Sequence, residues 1–268
     1  QFPVSSGRMA FTTDSYVVQP TFFPGGNIGK LAVCGTVNDL AMNGAVPQYL
    51  SCGLILEEGL PFDELEAILS TMSDMAKLAN VQIVTGDTKV VKKGEVDKIY
   101  INTAGIGMIP DGIHIGPNLV KPNMDIILSG SIGDHSIAVM GERFGLELSD
   151  SVKTDCAPLN HMVHAVLNAV GPQVALLRDP TRGGVGTVLK EIAEQSQVGI
   201  KVEESKLIIH DEVRSVCDIL GYDPLYLANE GKCIFVVDPS VTNDVLDILH
   251  SYPEGREATH IGVTMDKN

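Results

Sequence analysis

The chain has 268 residues, 44% of them hydrophobic and 20% charged, which are the proportions of an ordinary globular protein and exclude a fibre or a disordered chain. Its formal net charge is -15, from 34 acidic against 19 basic residues. Nucleic acid and anionic membranes both require a positively charged surface, so we expect neither as a partner. An acidic protein can still bind a polyphosphate when divalent cations lie between its carboxylates and the phosphate oxygens.

The cysteines and the apolar runs bear on the compartment. Five cysteines are present, an odd number at wide spacing and without a C-x-x-C pair, which supports neither a disulfide framework nor a zinc site. No apolar run approaches the roughly 18 residues that span a bilayer, and the first residues lack the pattern of a signal peptide. We therefore expect a soluble, cytoplasmic protein. The two ends, Gln1 and Asn268, look like cuts within a longer sequence.

The first half of the chain contains one clear helix and two strands. Over residues 61–80 apolar side chains recur at helical spacing, which predicts a helix whose methionine-rich stripe faces the core. A short apolar strand is predicted over 81–84, ending at Thr85-Gly-Asp-Thr88, and a second strand over Ile99–Ile109. The stretch 110–122, rich in proline and glycine, is the best linker candidate, and we place a domain boundary between residues 112 and 113.

The second half alternates strands and helices. Strands are predicted at 125–128, 174–177, 200–202, 232–237 and 259–265, and helices from about 134 to 145, at 160–170, after Gly184, at 211–220 and at 241–251. This order fits two mixed α+β domains better than one doubly wound sheet.

Four aspartates, Asp14, Asp39, Asp87 and Asp179, are each predicted at a turn or strand end beside a small or hydroxylic residue. Four carboxylates brought to one cleft would repel one another unless cations lay between them, and a nucleotide site with two magnesium ions has that arrangement. The alternative is that these aspartates only cap helices and open turns, as most aspartates in such places do.

Two other residues are chemically suited to proton transfer. Lys89 follows Asp87 closely, and Glu230 lies in the string Asn229-Glu-Gly-Lys232, although their spacing alone equally fits surface residues. The segment Pro24-Gly-Gly-Asn-Ile-Gly-Lys30 lacks the first glycine of a P-loop and the Ser or Thr that follows its lysine, so that motif is excluded.

Several long strings of the sequence resemble the HypE family of hydrogenase maturation factors. They are Thr12-Thr-Asp-Ser-Tyr-Val-Val, Phe22-Phe-Pro-Gly-Gly-Asn-Ile-Gly-Lys-Leu-Ala-Val-Cys-Gly-Thr-Val-Asn-Asp-Leu-Ala, Val84-Thr-Gly-Asp-Thr-Lys-Val, Gly133-Asp-His, Arg178-Asp-Pro-Thr-Arg-Gly-Gly and Asn229-Glu-Gly-Lys. The likeness extends from about Gly7 to the last residue. The wider family also contains aminoimidazole ribonucleotide synthetase, selenophosphate synthetase and thiamine monophosphate kinase.

The resemblance implies a two-domain α+β fold of the aminoimidazole ribonucleotide synthetase type. Residues 1–112 would form an ATP-binding domain whose sheet builds the interface of a homodimer, and 113–268 a C-terminal α+β domain. It also implies Mg²⁺ and ATP as cofactors near that interface. The residues carried over as magnesium ligands are Asp14, Asp39, Asp87 and Asp179, and those carried over as further nucleotide contacts are Gly86, Thr88, Thr181, Gly183 and Gly184.

The activity implied by the resemblance is an ATP-dependent dehydration. A carbamoyl group on the thiol of a C-terminal cysteine would become a thiocyanate, the source of the cyanide ligands on the iron of [NiFe] hydrogenase. Lys89 and Glu230 occupy the family positions of the catalytic base. The implied partners are a carbamoyltransferase of the HypF type and an iron-carrying assembly complex of the HypC–HypD type.

Two departures from the family pattern affect this expectation. HypE-type proteins carry a glycine-rich segment ahead of the region matched here and a C-terminal Pro-Arg-Ile-Cys tail, and neither is found in the sequence. We therefore expect an impaired core that does not form its own thiocyanate. The alternatives are a dimeric docking scaffold without turnover, and another member of the superfamily such as selenophosphate synthetase.

Overall fold

The computed structural model describes residues 7–146, 148 and 152–267, which form two sheets, each covered by helices. The N-terminal elements in chain order are β1 (Arg8–Tyr16), β2 (Phe22–Phe23), β3 (Gly26–Asn27), α1 (Ile28–Met42), β4 (Val46–Glu57), α2 (Phe62–Leu78), β5 (Gln82–Val91) and β6 (Ile99–Ile109). The strand order in the larger sheet is β1-β6-β4-β5, with β4 and β5 parallel and the other neighbours antiparallel. Strands β2 and β3 form a short antiparallel hairpin.

The N-terminal sheet is covered on one face only. Helices α1 and α2 bury apolar side chains of β4 and β6, including Leu50, Ile99 and Ile101. From Met9 onward, burial along β1 alternates, as expected for a sheet with one open face. That open face carries exposed apolar side chains, among them Met9 and Phe11 of β1.

The C-terminal elements are β7 (Asp125–Leu128), α3 (Asp134–Phe144), α4 (Asn160–Val170), β8 (Val174–Arg178), α5 (Gly184–Ser196), β9 (Gly199–Val202), α6 (Asp211–Leu220), β10 (Ile234–Val237), α7 (Thr242–His250) and β11 (Thr259–Met265). They build an antiparallel sheet in the order β8-β10-β7-β11-β9. Helices α4 and α7 pack on one face of it and α5 on the other. Every residue of β10 is consequently buried.

The two parts are joined by helix α1. Its last residues, Ala41 and Met42, belong to the apolar core under α4 and α7. Its buried Asn38 donates to the carbonyl oxygen of Ala157 at 3.0 Å and accepts the main-chain N–H of Leu159 at 2.8 Å. The cleft between the sheets is thus bounded by α1, by β1 and by the turn after β8.

Most predicted elements are confirmed, including β6, β7, α4, α6 and β11 within a residue of their expected bounds. Helix α2 is also confirmed, but its predicted core stripe holds only in part, because Ile68 and Met72 are buried whereas Phe62 is 88% exposed. The domain boundary between 112 and 113 stays a prediction. Of the described helices, none combines the length and the apolar character needed to cross a membrane.

Three predictions about the aspartates' local structure are wrong. Asp14 lies inside β1 and Asp39 inside α1, and neither is at a turn or strand end. The strand predicted over 81–84 continues to Val91, so Asp87 also lies within a strand, and that strand is exposed along nearly its whole length. Parallel pairing with β4 extends β5 past Gly86, where an added Cβ would lie 2.5 Å from the Cys52 carbonyl oxygen. Asp179 does follow a strand, as predicted.

Candidate active site

Two adjoining cavities lie in the cleft between the sheets, and five lining residues are common to both: Asp14, Asp39, Asp179, Thr181 and Arg182. The larger cavity, about 540 Å³, continues towards helix α5 and the loop at Gly116 and Pro117. The smaller cavity, about 260 Å³, is also lined by Tyr16, Gly35, His135 and Glu230. We call them the large lobe and the small lobe of the cleft.

The three aspartates that both lobes share come from distant parts of the chain. Strand β1 directs Asp14 inward because its even-numbered residues face α1 and the cleft. Helix α1 supplies Asp39, whose Oδ2 accepts a hydrogen bond of 2.8 Å from Thr12 Oγ1. The turn after β8 supplies Asp179. The structure therefore brings together three of the four aspartates that the sequence indicated.

The electrostatics of the cleft reflect several carboxylates held close together. Burial raises the pKa of Asp39 to about 7, and the charge of Asp179 adds to the effect. Burial likewise raises the pKa of Asp179, while a hydrogen bond from its own main chain opposes the shift. Arg182 Nη2 lies 4.0 Å from Asp14 Oδ1, on a side chain that is 93% exposed.

Glu230 reaches the small lobe from the loop that precedes β10. Burial raises the pKa of this carboxyl to about 8, and the charge of Asp155 is the next cause. Its main-chain N–H donates to Asp155 Oδ1 at 3.0 Å, and its carbonyl oxygen accepts from Asn38 Nδ2 at 3.4 Å. A carboxyl with a pKa in this range can exchange protons near neutral pH, as a general acid or base must.

The donor set of the cleft fits a hard divalent cation. Carboxylate oxygens are the ligands that Mg²⁺ prefers, and they repel one another here as long as no cation lies between them. Within the described part of the chain, no group of three or more His, Cys, Asp or Glu is arranged to hold a metal ion by itself. Mg²⁺ commonly uses only one or two carboxylates and completes its shell with water and phosphate oxygens, so the shared wall of Asp14, Asp39 and Asp179 meets that need.

The remaining predicted residues of the N-terminal part lie elsewhere. Gly86, Asp87 and Thr88 line a groove of about 940 Å³ between α2 and the exposed strand β5. Lys89 is exposed on the same strand. Within one chain, Asp87 and Lys89 are therefore not among the residues that line the two lobes.

Gly183 and Gly184 shape the turn after Thr181 and do not line the lobes. Both have positive φ, +70° and +63°, where a side chain is strained. At Gly184 an added Cβ would also lie 2.5 Å from two main-chain oxygens. These glycines allow α5 to begin immediately after the cleft.

The sequence analysis did not single out several residues of the site. His135 lines the small lobe, is buried, and has its Nδ1 2.8 Å from Thr154 Oγ1. Burial lowers its pKa, so the ring is neutral near pH 7. Tyr16 packs its hydroxyl against Gly35, and Asp155 lies behind Glu230. Gly133-Asp-His was noted only as part of a string, and nothing in the local sequence around Asp155 indicates a role.

Comparison with known proteins identifies the family. The models for the N-terminal and C-terminal domains of AIR synthase related proteins match residues 3–109 and 121–268. The carbamoyl dehydratase HypE of Rhizobium leguminosarum bv. viciae is 50% identical over 268 residues, which is 100% of this chain and 77% of that protein. This chain belongs to the HypE family.

Two solved HypE structures share the architecture described above. A HypE in complex with ATP superposes with a TM-score of 0.96 at 47% identity, covering 99% of this chain and 79% of that one. The HypE of a HypE–HypF complex superposes with a TM-score of 0.94 at 47% identity, covering 96% and 84%. The expected two-domain α+β fold of the AIR synthetase type is therefore confirmed for this HypE-family chain.

Proposed function

We propose that this chain catalyses the ATP-dependent dehydration of a carbamoylated cysteine thiol to a thiocyanate, the source of the cyanide ligands of [NiFe] hydrogenase. The observation that carries the proposal is the convergence of Asp14, Asp39 and Asp179 with the acid–base group Glu230 in one cleft of a HypE-family chain. Polyphosphate binding and proton transfer are the two requirements of the reaction, and these residues supply groups for both.

The chemistry needs ATP because the oxygen of a carboxamide is a poor leaving group. That oxygen attacks the γ-phosphorus, ADP leaves, and the nitrogen loses its first proton, which gives an O-phosphorylated imidate on the sulfur. The C–O bond then breaks, phosphate departs, and loss of the second nitrogen proton completes the C≡N bond. The net change is one carboxamide and ATP to one nitrile, ADP and phosphate.

Nucleotide binding is assigned to the wall shared by both lobes. A HypE relative binds ATP, which supports ATP as the nucleotide here. We infer that Asp14, Asp39 and Asp179 hold Mg²⁺, which when bound neutralises charge on the transferred phosphoryl group. Thr181 lies two residues after Asp179 on the shared wall, and we assign it a neighbouring phosphate contact. We assign further phosphate contacts to the main chain of the turn at Gly183 and Gly184, which leads into α5.

Proton removal from the carbamoyl nitrogen is assigned to Glu230 together with Lys89. Glu230 lines the small lobe, and its raised pKa suits a group that both takes up and releases protons near pH 7. Lys89 lies on β5, so its participation requires that a second copy of the chain present this strand to the cleft. Asp87, Gly86 and Thr88 would reach the nucleotide in the same way.

A homodimer through the N-terminal sheet provides that second copy. The open face of the sheet carries apolar side chains that are 53% (Met9) and 66% (Phe11) exposed, and the edge strand β5 also exposes Val84 and Val90. Strand β5 is also an edge of the sheet, with β4 as its one neighbour among the described residues, and long exposed edges with apolar side chains favour association with another chain. Two such sheets facing each other would bury both open faces.

We infer two kinds of protein partner and a location. A HypE relative has been solved together with HypF, which supports a carbamoyltransferase of that type as the donor of the carbamoyl group. We infer a complex of the HypC–HypD type as the acceptor, because the cyanide group of the thiocyanate has to be passed to a protein that carries iron. A cytoplasmic location agrees with five cysteines that are all free and buried.

The decisive experiment supplies a peptide with an S-carbamoyl cysteine to the purified chain with Mg-ATP. We expect ADP and phosphate to form in step with loss of one water from the peptide, detected by mass spectrometry. ATP binding by calorimetry without any peptide-dependent turnover would contradict the enzymatic proposal and favour a docking scaffold. Absence of both binding and turnover would contradict the assignment of the cleft.

A further inference from the structure

A buried carboxylate, that of Asp155, is the side chain that holds the main-chain N–H of Glu230, while neighbouring Asn229 is bonded to Pro180 and Gly133. Asp155 Oδ1 accepts the main-chain N–H of Glu230 at 3.0 Å. Next to it, Gly231 lies so close to the segment of Asp155 that an added Cβ would be 1.8 Å from the Asp155 carbonyl oxygen. These contacts fix the main chain at Glu230 and Gly231, and the position of the main chain sets where the Glu230 side chain points.

The other oxygen of the same carboxylate faces Lys232. Lys232 Nζ lies 3.4 Å from Asp155 Oδ2, and the two side chains are only 10% and 3% exposed. That contact is an ion pair and is not directed as a hydrogen bond, so Oδ2 has no hydrogen-bond partner among the described residues. Burying a carboxylate is costly even with a counterion, which makes this pair a poor choice for stability alone.

Glu230 and the Asp155–Lys232 pair face two different cavities. Glu230 lines the small lobe, whereas Asp155 and Lys232 line a separate cavity of about 330 Å³ on the other side of the loop. Gly130 leaves room for the lysine, since an added Cβ there would lie 2.9 Å from Lys232 Cε. The carboxylate of Asp155 thus supports the loop from behind and takes no part in lining the lobe itself.

We propose that Asp155 is a positioning residue for the reaction: its hydrogen bond to the main chain of Glu230 fixes that side chain in the small lobe, with Lys232 as the buried counterion. This inference rests on the proposed function. It assigns Asp155 no contact with substrate or nucleotide, so the variants are expected to change the rate of turnover and leave the affinity for ATP intact. A displacement of about 1 Å in a catalytic group is enough to cost roughly 100-fold in rate.

The test compares turnover of the S-carbamoyl peptide by three variants. Asp155→Ala removes the acceptor and should lower kcat by roughly 30-fold or more, with KM for ATP within about twofold of the parent. The double variant Asp155→Asn with Lys232→Met, which we call the neutral pair, keeps a side-chain oxygen that can accept the Glu230 N–H. It also removes the lysine, so that the new asparagine amide does not lie against an ammonium group, and kcat should stay within about fivefold of the parent. Asp74→Ala is the matched control, because Lys77 lies at the same 3.4 Å from Asp74 but both side chains are exposed.

A second readout does not depend on activity. Hydrogen exchange at the Glu230 amide should be roughly tenfold faster in Asp155→Ala than in the parent or in the neutral pair. Equal loss of kcat in Asp155→Ala and in the neutral pair would overturn the inference, because the loss would then come from removing the charge of Asp155 and not from removing its hydrogen bond to Glu230. Full activity of Asp155→Ala would overturn it as well.

If Asp155→Ala does not fold, the neutral pair decides, because a drop of more than about 30-fold in its kcat contradicts positioning by the hydrogen bond. A parent chain without turnover refutes the proposed function, and the exchange measurement then still tests the contact.

Discussion

The interdomain cleft and strand β5 carry the same kind of sequence signal but differ in structure. In the cleft, Asp14, Asp39 and Asp179 come from a strand, a helix and a turn and share one wall. On β5, Asp87 and Lys89 lie on an exposed edge strand beside an apolar open face. This contrast is the reason for proposing that one chain supplies the carboxylates of the nucleotide site and that its β5 residues act at the cleft of another copy.

The largest effect is expected in the cleft. Asp39→Asn and Asp179→Asn should each weaken Mg-ATP binding by about 100-fold, because each removes a charge that the cation would neutralise. Without nucleotide the same variants should be at least as stable as the parent, since they relieve repulsion between buried carboxylates. Calorimetry with Mg-ATP and thermal unfolding without it measure the two effects. Asp74→Asn, on the exposed face of α2, is the control, and unchanged ATP affinity in both cleft variants would refute the assignment.

Mixing two inactive variants tests whether β5 serves the cleft of another copy. Lys89→Ala and Glu230→Gln should each be nearly inactive alone. If every site combines Lys89 of one copy with Glu230 of the other, an equal mixture that exchanges subunits should recover roughly a quarter of the parental turnover. Steady-state assays before and after exchange measure this recovery. No recovery despite subunit exchange would mean that both residues act within one chain or that one of them is dispensable.

The open face of the sheet should hold the dimer together. Phe11→Asp puts a charge on that face and should raise the dimer dissociation constant by roughly tenfold or more. Sedimentation velocity over a range of concentrations measures the change. Phe62→Asp on α2 is the matched control, because this phenylalanine is 88% exposed but lies away from the open face. Equal behaviour of the two variants would argue against this interface.

The last effect concerns the pH dependence of stability. The pKa of Glu230 is raised from 4.5 to about 8 in the folded chain, so its protonated form favours folding and this contribution is lost as pH rises from about 4.5 to about 8. Glu230→Gln stays neutral and should therefore be more stable than the parent at pH 8.5, on the order of 5 kcal/mol, with almost no difference near pH 4. Urea unfolding at the two pH values measures the gap. A gap that does not grow with pH would contradict the burial of this carboxyl.

The elements that were predicted correctly from sequence patterns are those that bury a mostly apolar face and expose a mostly polar one. Helix α2 and strand β6 alternate polar and apolar residues with the period of their structure, and their bounds were predicted closely. Strand β1 reverses the usual pattern, because Thr12 and Asp14 face inward to the cleft and Phe11 faces outward. Helix α1 is buried at 12 of its 15 positions and shows no amphipathic stripe. Both departures occur where the site is built.

By itself, the sequence determined the family, the two-domain α+β class and the aspartates and Glu230 as candidates for the chemistry, because these depend on local composition and on long matching strings. Only the tertiary structure decided which candidates meet. It brought Asp14, Asp39, Asp179 and Glu230 to one cleft, left Asp87 and Lys89 on an open edge, and showed Asp155 behind Glu230. Which side chains lie close together depends on contacts between residues far apart in the chain, and no local sequence pattern encodes those contacts.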